Sequence, residues 1–581
     1  MSRNAEISEL LEEFADLLEA QDVEYKPRAY RRAAENVLDH PAAIEALVAE
    51  GPDAVTEIEG VGEAIGEKII EYIETGSIDE LEALRAELPV AMDELTSVEG
   101  VGPKTVGTLY EELGVTDLSE LETAASEGRI REVSGFGPKT EENILENIPF
   151  ARQASERTLL GTARPLADDV LEFVSDLPAV TACDTAGSIR RWCETVGDVD
   201  ILVASTDTAD LEADIRGWDR VDTVIEAGEN KASVRIANMR VDFRFVAPEE
   251  FGSALQYFTG GKDHNVRLRN LAIDRDLKMN EYGVFEVDSS RVDDGPRSGT
   301  RIAGETESSM YDALDLEWIP PELREDTGEI IAAADGTLPT LVTADEVRGD
   351  LHVHTDWSDG SDSLATIVAG AAEFGHEYIC IADHATGPGM VGGVGVSDDD
   401  LEAQIDEIRA VDADAPIDVL AGVEANIDST GGISVRDSLL ERFDLVTASP
   451  HSELRMDGEA ATERLIEAAS HPSVDVIGHP TGRLLNRRPG MDIDIGAVAR
   501  AAAEAGTALE INSNPYRLDL WGRAVKTAIE AGATIVINTD AHGVEEFRWL
   551  RYGVHTARRG WAEREDILNT QSSDAVLAFA T

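Results

Sequence analysis

Six apolar runs in the second half of the chain, YICIAD, IDVLAGVE, FDLVTAS, VDVIGHP, ALEINS and TIVINTD, alternate with Ala-rich and Glu-rich amphipathic stretches. A strand covered on both faces reads as a continuous apolar run, and parallel strands need a helical crossover between them. The alternation predicts a (β/α) barrel over residues 347–575. Function in such barrels gathers at the C-terminal rim of the strands. Cation-binding side chains fall there: His352 and His354 alternate on one strand end, Asp359 follows in a Gly-containing turn, and His384, Glu424, His451, His479, Asp540 and His542 lie at or just past later strand ends. Six of the eleven histidines are in this set, too many for the ordinary fate of histidine in a core or on a surface. Imidazoles and carboxylates without thiolates favour Mn2+, Zn2+ or Fe over a structural zinc site.

A second constellation lies ahead of the barrel. The segments TACDTAGS, DVDILVAS, DTVIEAGE, ASVRIA and RVDFRFVAP read as strands of a mixed sheet over 153–250, the last two joined by a hairpin at Asn238-Met239. Asp198 and Asp200 are two apart, so on a strand both face one side, and Asp242 on another strand can reach the same face. Three carboxylates can hold two Mg2+ or Mn2+ ions, the arrangement that suits in-line nucleotidyl transfer. Gly187 and Ser188 open a short helix whose backbone N–H groups, with Arg190 and Arg191, offer donors to phosphates. Helix and short-strand patterns return over 251–334, and DGTLPTLVTADE, residues 335–346, reads as an exposed linker.

The first 152 residues read as short helices punctuated by Pro27, Pro41 and Pro52. Within them one element recurs three times: IEGVGEAIGEKIIEYI at 58–73, VEGVGPKTVGTLYEEL at 98–113 and VSGFGPKTEENIL at 133–145. The glycine pairs Gly60 and Gly62, Gly100 and Gly102, Gly135 and Gly137 permit a tight turn whose N–H groups point outward at a helix start, where a DNA phosphate can dock. Lys104 and Lys139 follow two of the pairs.

The repeat resembles the helix-hairpin-helix DNA-binding motif. GSIRRWCETVGDVDILV, RVDFRFV and YFTGGKDHNVRLR together resemble the core of the family X DNA polymerases, over roughly residues 1–325. The ordered set H-x-H, SDG, DH, G-x-E, H, H-P, D-x-H resembles the PHP (polymerase and histidinol phosphatase) domain, and the joint pattern looks like the bacterial and archaeal family X polymerases. The resemblance implies a lyase-like helical domain at 1–82, helix-hairpin-helix fingers at 83–152, a nucleotidyltransferase palm at 153–250, a thumb-like nucleotide-selection domain at 251–334 and a distorted barrel of PHP type after the linker. It implies that Asp198, Asp200 and Asp242 are the catalytic carboxylates, with Arg240 tuning Asp242. Gly187, Ser188 and Arg191, and less directly Arg164, would meet the triphosphate of a dNTP. Tyr257, Phe258 and Gly260 would lie beside its sugar, Asn265 would reach the base edge, and Lys231 and Arg269 would contact DNA.

Lys68 stands where the family has its Schiff-base lysine, and Lys26 and Tyr30 match residues that hold a 5'-phosphate. A Schiff base requires a neutral amine, so the lysine must have a lowered pKa. Ala64 replaces the family's second phosphate-binding lysine, which leaves lyase activity open. In the barrel, the resemblance implies one metal on His352, His354, Glu424 and Asp540, a second on Glu424, His451 and His479, and a third on Asp359, His384 and His542, with Asp383 orienting a histidine. The implied activities are gap filling on gapped or nicked, 5'-phosphorylated DNA and Mn2+-dependent 3'-5' exonuclease action, with AP-endonuclease or 3'-phosphatase activity beside them. A monomer is expected. Two other readings stay open: a PHP phosphatase with a vestigial first half, and a non-catalytic DNA-end scaffold. The complete aspartate triad and the complete ligand set weigh against both.

Against a polyanionic partner stands the net charge of −67, since repulsion would replace the attraction that drives binding to DNA. Only eight of the 49 cationic residues are lysine, and such acid-rich, lysine-poor composition resembles that of extreme halophiles. In molar salt the screening length falls to about 3 Å, so only local contacts act on a bound phosphate. Seven of the eight lysines precede residue 279, mostly inside the motifs above. Cys183, Cys193 and Cys380 are too few for a disulfide framework and read as reduced. No apolar run approaches the ~20 residues of a membrane span, and MSRNAEISELLEEF lacks a signal-peptide core. No membrane partner and a cytoplasmic location are expected. Folding and activity should require high salt; full activity in dilute buffer, measured as primer extension against KCl concentration, contradicts this reading.

Overall fold

The computed structural model describes residues 3–580 except 24–25, 39–43, 45–46, 49–50, 57, 59, 99, 156, 229, 288–294 and 390–393. Glu59 and Glu99, in the first two repeats, therefore lie outside the described residues. The chain divides into two compact units, one of residues 1–157 with 486–488 and one of 158–485 with 489–581. No helix among the described residues is long and apolar enough to cross a membrane.

The first unit is helical. Helices Arg3–Ala20 and Lys26–Leu38 bury Leu11, Phe14, Ala33 and Val37 completely in one core. That core continues through the repeats, where Ile58, Val61, Val98 and Val101, flanking the glycines, are all buried. Each repeat is thus a turn pinned by apolar residues, from which a helix departs: Glu63–Thr75, Pro103–Leu113 and Pro138–Ser155.

The second unit begins with a five-stranded mixed sheet of β1 (Val180–Thr185), β2 (Val199–Ser205), β3 (Thr223–Gly228), β4 (Lys231–Ile236) and β5 (Met239–Val246), in the order β1-β2-β5-β4-β3. Only β2 and β5 run parallel. Helices Leu160–Ser175 and Thr208–Arg216 cover one face through Leu160, Ala163, Leu211 and Ile215. The β4–β5 hairpin turns at Ala237 and Asn238, whose φ values of 47° and 61° describe a type I′ turn. The turn thus falls one residue earlier than Asn238-Met239, because Met239 already pairs with Ile236.

Next come helices Phe251–Thr259 and Lys262–Ile273 and an antiparallel three-stranded sheet, Leu277–Asn280, Gly283–Glu286 and Thr300–Ala303. The segment read as an exposed linker is fixed to the barrel. Leu341 and Val342 are buried, and the Val342 amide donates to the Ala562 carbonyl at 3.0 Å. Two adjacent apolar residues in a mostly small and polar stretch are the anchor that composition averaged away.

The barrel has seven parallel strands, each beside its neighbours in sequence: β6 (Gly349–Val353), β7 (Tyr378–Ile381), β8 (Asp418–Asn426), β9 (Leu445–Ser449), β10 (Val476–Ile477), β11 (Ala508–Asn512) and β12 (Ile535–Asn538). A parallel bridge between Val353 and Ala541 closes the circle, and the His354 amide donates to the Ala541 carbonyl at 2.8 Å. Alternation along a strand sorts the two faces. On β11, Leu509 and Ile511 pack outward beneath the helices, whereas Ala508 joins Cys380, Leu420, Leu445, Val476 and Val536 inside. Glu510 and Asn512, on the same face as Ala508, are carried toward the rim.

Asp475, leading into β10, accepts a hydrogen bond from the Val446 amide at 2.7 Å, yet burial raises its pKa to about 7. Folding then penalises the charged form, so the stability this carboxyl contributes is full below its unfolded value near 3.8 and is lost as pH rises through about 7. Asp475→Asn keeps an acceptor and cannot ionise. The variant should melt increasingly above the parent between pH 4 and pH 8, by the equivalent of roughly 2–4 kcal/mol at the top of the range; a difference in melting temperature independent of pH refutes this.

Candidate active sites

In the palm sheet, parallel pairing sets Asp200 directly beside Asp242. Asp198 lies in the bend just before β2, not on the strand, and still brings a carboxylate oxygen within 4.8 Å of the other two. Asp200 is raised to about 6, by burial first and then by the charges of Asp198 and Asp242. Burial would raise Asp242 as well, but the Arg240 guanidinium, donating to Oδ1 at 2.9 Å, holds it below the ordinary range. Three crowded carboxylates of this kind form a donor set that fits divalent cations.

Gly187 sits at φ 61° against this cluster, and a Cβ there would fall 2.3 Å from Asp200 Oδ2, so glycine is required. Ser188 follows in the short helix Gly187–Arg190. Arg190 is not a phosphate donor in this arrangement. Its guanidinium forks onto Glu307 at 2.8 and 2.9 Å and is largely buried. Arg191 donates to Glu325 and to the Thr259 carbonyl, both at 2.8 Å. Arg164 pairs with Asp168 and lies over the Trp192 ring.

Tyr257 and Phe258 meet edge to face at 5.2 Å, with the Arg244 guanidinium 4.3 Å from the Phe258 ring centre. The Asn265 amide donates to the carbonyls of Tyr257 and Gly260 at 2.7 and 3.0 Å, so it ties off the helix end instead of pointing outward. Gly260 is needed for this contact, since a Cβ would fall 2.4 Å from Asn265 Oδ1. Lys231 pairs with Glu226 at 2.9 Å, and Arg269 is exposed.

In the helical unit the first glycine of each repeat has a positive φ: 79° at Gly60, 85° at Gly100 and 96° at Gly135. The second glycines differ. Gly62, Gly102 and Gly137 have no atom within 4 Å of a would-be Cβ, so nothing inside the protein demands their bareness. What they leave open is the approach of an outside group to the N–H groups of the helix start. Lys104 and Lys139 are exposed beside them, with Lys104 3.3 Å from Asp22. Lys26 is exposed, while Tyr30 is buried and stacks on Phe14 at 4.4 Å. Lys68 pairs with Glu80 at 2.8 Å. Burial would lower its pKa, but the bond to Glu80 and the neighbouring Tyr30 raise it, the opposite of what a Schiff-base lysine needs.

At the barrel rim, Glu424 is wholly buried among imidazoles. Its Oε1 lies 3.0 Å from His479 Nε2, 3.2 Å from His451 Nε2 and 3.5 Å from His352 Nε2, and its Oε2 lies 2.5 Å from His384 Nδ1. His354 Nε2 is 3.1 Å from Asp540 Oδ1 and 3.8 Å from Glu424. Asp359 faces His384 and His542 at 3.5 and 3.4 Å. All nine expected side chains therefore converge, with His354 also beside Asp359 and with His384 spanning Asp359 and Glu424. His479 and Asp540 hold positive φ values of 25° and 56°, backbone strain of the kind stored at working sites.

Burial opposes charge throughout this cluster. Even so, the imidazoles hold Glu424 and Asp540 well below the carboxylate range, and the carboxylates lift His384 to about 10 and His542 to about 9. His354 falls to about 3, through burial and its cationic neighbours. Buried nitrogens of His352, His354, His384 and His451 are left without a well-formed hydrogen bond and gather around Glu424 and Asp540. This donor set fits divalent cations bound by nitrogen and oxygen.

Residues beyond the expected nine hold the cluster in place. Glu510 accepts from His352 Nδ1 and from the His479 amide, both at 2.7 Å, and from Asn538 at 2.9 Å. Asn512 donates to Asp540 at 2.9 Å, and Asn426 meets His451 Nδ1 at 2.8 Å. Their signal in the sequence is a polar residue on the inner register of an otherwise apolar run. Asp383 does not orient a histidine. It gathers the Thr355 amide and hydroxyl, the Ser358 hydroxyl and Gln404, and so braces the turn that delivers Asp359.

A carboxylate triad on a palm sheet and an imidazole cluster on a barrel rim define a chain with two phosphoryl-transfer centres. Family models for the DNA polymerase beta thumb match residues 254–325, a helix-hairpin-helix domain 2–78, a SAM-like helix-hairpin-helix tandem 92–148 and the PHP domain 350–514. A DNA polymerase/3'-5' exonuclease PolX of Bacillus subtilis is 34% identical over 99% of this chain and 98% of its own length. A probable phosphatase of Caldanaerobacter subterraneus is 35% identical over 33% of this chain and 75% of its own length. One of Shewanella is 37% identical over 22% and 51%.

The chain belongs to the family X DNA polymerases that carry a C-terminal PHP domain. It is a DNA nucleotidyltransferase and a phosphoester hydrolase.

Glu510→Gln should leave primer extension intact and weaken Mn2+-supported phosphoester hydrolysis about 10–100-fold at limiting metal, with added Mn2+ restoring the rate. Unchanged metal dependence shows that Glu510 does not support the site.

Proposed function

We propose that this enzyme fills short gaps in DNA with dNTPs at the palm and removes nucleotides from 3' ends, or cleaves blocked 3' ends, at the barrel rim. The observation that supports this most directly is that the side chains of both donor sets come together on one chain, which a vestigial half or a scaffold would not require. In this reading Asp198, Asp200 and Asp242 would hold Mg2+ or Mn2+. At the rim, His352, His354, Glu424 and Asp540, then Glu424, His451 and His479, then Asp359, His384 and His542 would hold two to three Mn2+, Zn2+ or Fe ions. Bound there, these ions would supply the positive charge that phosphoryl transfer develops against and the activation of the attacking oxygen.

The chain's own residues do the rest. Arg240 keeps Asp242 ionised, Gly187 lets the backbone N–H groups of the short helix approach a triphosphate, and Arg191 turns from Glu325 toward the same anion. At the rim, Glu510 fixes the His352 tautomer and ring plane, and Asp383 holds the turn of Asp359. The bare glycines of the three repeats receive DNA phosphates. We keep the domain limits at 82, 152, 250, 334 and 346, a monomer as the working form and a cytoplasmic location. Lyase chemistry is left out, because the Glu80 pairing keeps Lys68 protonated.

A gapped, 5'-phosphorylated duplex with a labelled primer, incubated with Mn2+ in high salt with and without dNTPs, separates the two centres. Asp198→Ala should lower extension by at least about 1,000-fold and spare degradation, and His352→Ala should do the reverse. Loss of both activities in either variant overturns the two-centre reading.

A further inference from the structure

The barrel helix Leu550–Arg559 packs against the palm loop that follows the Gly187–Arg190 helix. Tyr552 belongs to the palm core together with Leu518 from the barrel. Trp192, in the loop, has φ 55° and stacks on His555 at 3.6 Å with the planes 6° apart, while Arg164 covers it at 4.9 Å. His555 is fixed in turn by Glu322 at 2.8 Å, and Glu322 also takes Arg558 at 2.6 Å.

One residue further on, Arg559 enters the loop itself. Its NH1 donates to the Arg191 carbonyl at 2.8 Å and lies 3.4 Å from both Cys193 Sγ and Glu325 Oε1. Glu325 Oε1 is the same oxygen that accepts from Arg191 Nε at 2.8 Å. One carboxylate is thus shared by two guanidiniums, one from the palm and one from the barrel.

We propose that Arg559, a residue of the hydrolase domain, is a positioning residue for nucleotidyl transfer. It fixes the main chain of Arg191 and retains Glu325 when the Arg191 side chain leaves for the incoming triphosphate. The inference rests on the reading of Arg191 as a triphosphate contact. The physical reason is the cost of stranding a charge. Glu325 is about one-third exposed, and removing its partner leaves a half-buried carboxylate unpaired. Arg559 already lies within reach of the same oxygen and is anchored on the Arg191 carbonyl, so it can hold Glu325 throughout the exchange. The polar partners of Arg559 are the Arg191 carbonyl, Cys193 and Glu325, none of them a rim side chain, and its effect should be confined to nucleotide use at the palm.

The test is single-nucleotide insertion into a one-nucleotide gap by the full chain in high salt, with Mn2+-dependent degradation of a labelled 3' end and the melting temperature measured alongside. Arg559→Gln should raise the dNTP KM about tenfold with kcat within about threefold, and leave degradation and melting at parental values. Adding Glu325→Gln to it removes the stranded charge and should return KM to within about threefold of the parent, a rescue that a purely structural role for Arg559 would not produce. Glu325→Gln alone, which does not depend on Arg559→Gln folding, should lower KM, because Arg191 is then held less tightly. An unchanged KM in Arg559→Gln, no rescue in the double variant, or an unchanged or raised KM in Glu325→Gln overturns the proposal. Arg191→Ala separates it from its premise: an unchanged KM there sinks the reading of Arg191, whereas a raised KM there with none in Arg559→Gln sinks the role of Arg559 alone.

Discussion

The buried carboxylate of Glu424 is the interaction on which the barrel depends. A lone ionised carboxylate in such a place would be expelled or neutralised. Here it persists because His352, His384, His451 and His479, from four different strand ends, all aim ring nitrogens at it. The rings of His352, His384 and His451 are held in turn by Glu510, Asp359 and Asn426. The strands can be almost wholly apolar elsewhere, as their sequences are, since the polar work of the barrel is concentrated at one rim. The palm meets the same problem in another way. Asp200 and Asp242 lie side by side on a parallel strand pair with Asp198 close by, and Arg240 holds Asp242 in its charged form.

Much of this was legible before the structure. The barrel followed from apolar runs of strand length, and the nine rim side chains followed from their places at the ends of those runs. The aspartate triad was expected from strand alternation, which holds for Asp200 beside Asp242, whereas Asp198 joins them from the bend before the strand. Residues whose role depends on a partner far away in sequence were not legible. Nothing near Arg190 in the chain announces that Glu307, 117 positions on, occupies it. Glu510 reads as one acid within a strand, and only the closed barrel brings it against His352, 158 positions earlier. Leu341 and Val342 failed for a different reason: two buried residues in a segment of twelve shift no average.

Arginine carries most of the internal pairing of the second unit. Arg190 and Arg324 share Glu307, Arg558 takes Glu322, and Arg551 takes Asp168. A planar fork meets two carboxylate oxygens in a fixed geometry, as Arg190 does on Glu307, whereas an ammonium is a more strongly hydrated point charge. In a chain so rich in acids, cations that also order the interior are of more use as guanidiniums, and lysine is left for exposed positions such as Lys26, Lys104 and Lys139.

The bridge between Val353 and Ala541 joins the first barrel strand to the segment after the last. His354 and Asp540 stand on the two sides of that seam, 3.1 Å apart. During synthesis the palm strands leave the ribosome some three hundred residues before the seam can shut. The palm core also waits for the barrel, since Leu518 and Tyr552 belong to it, and a chain that stops short of Asp540 lacks the carboxylate that faces His354 and cannot assemble the rim cluster.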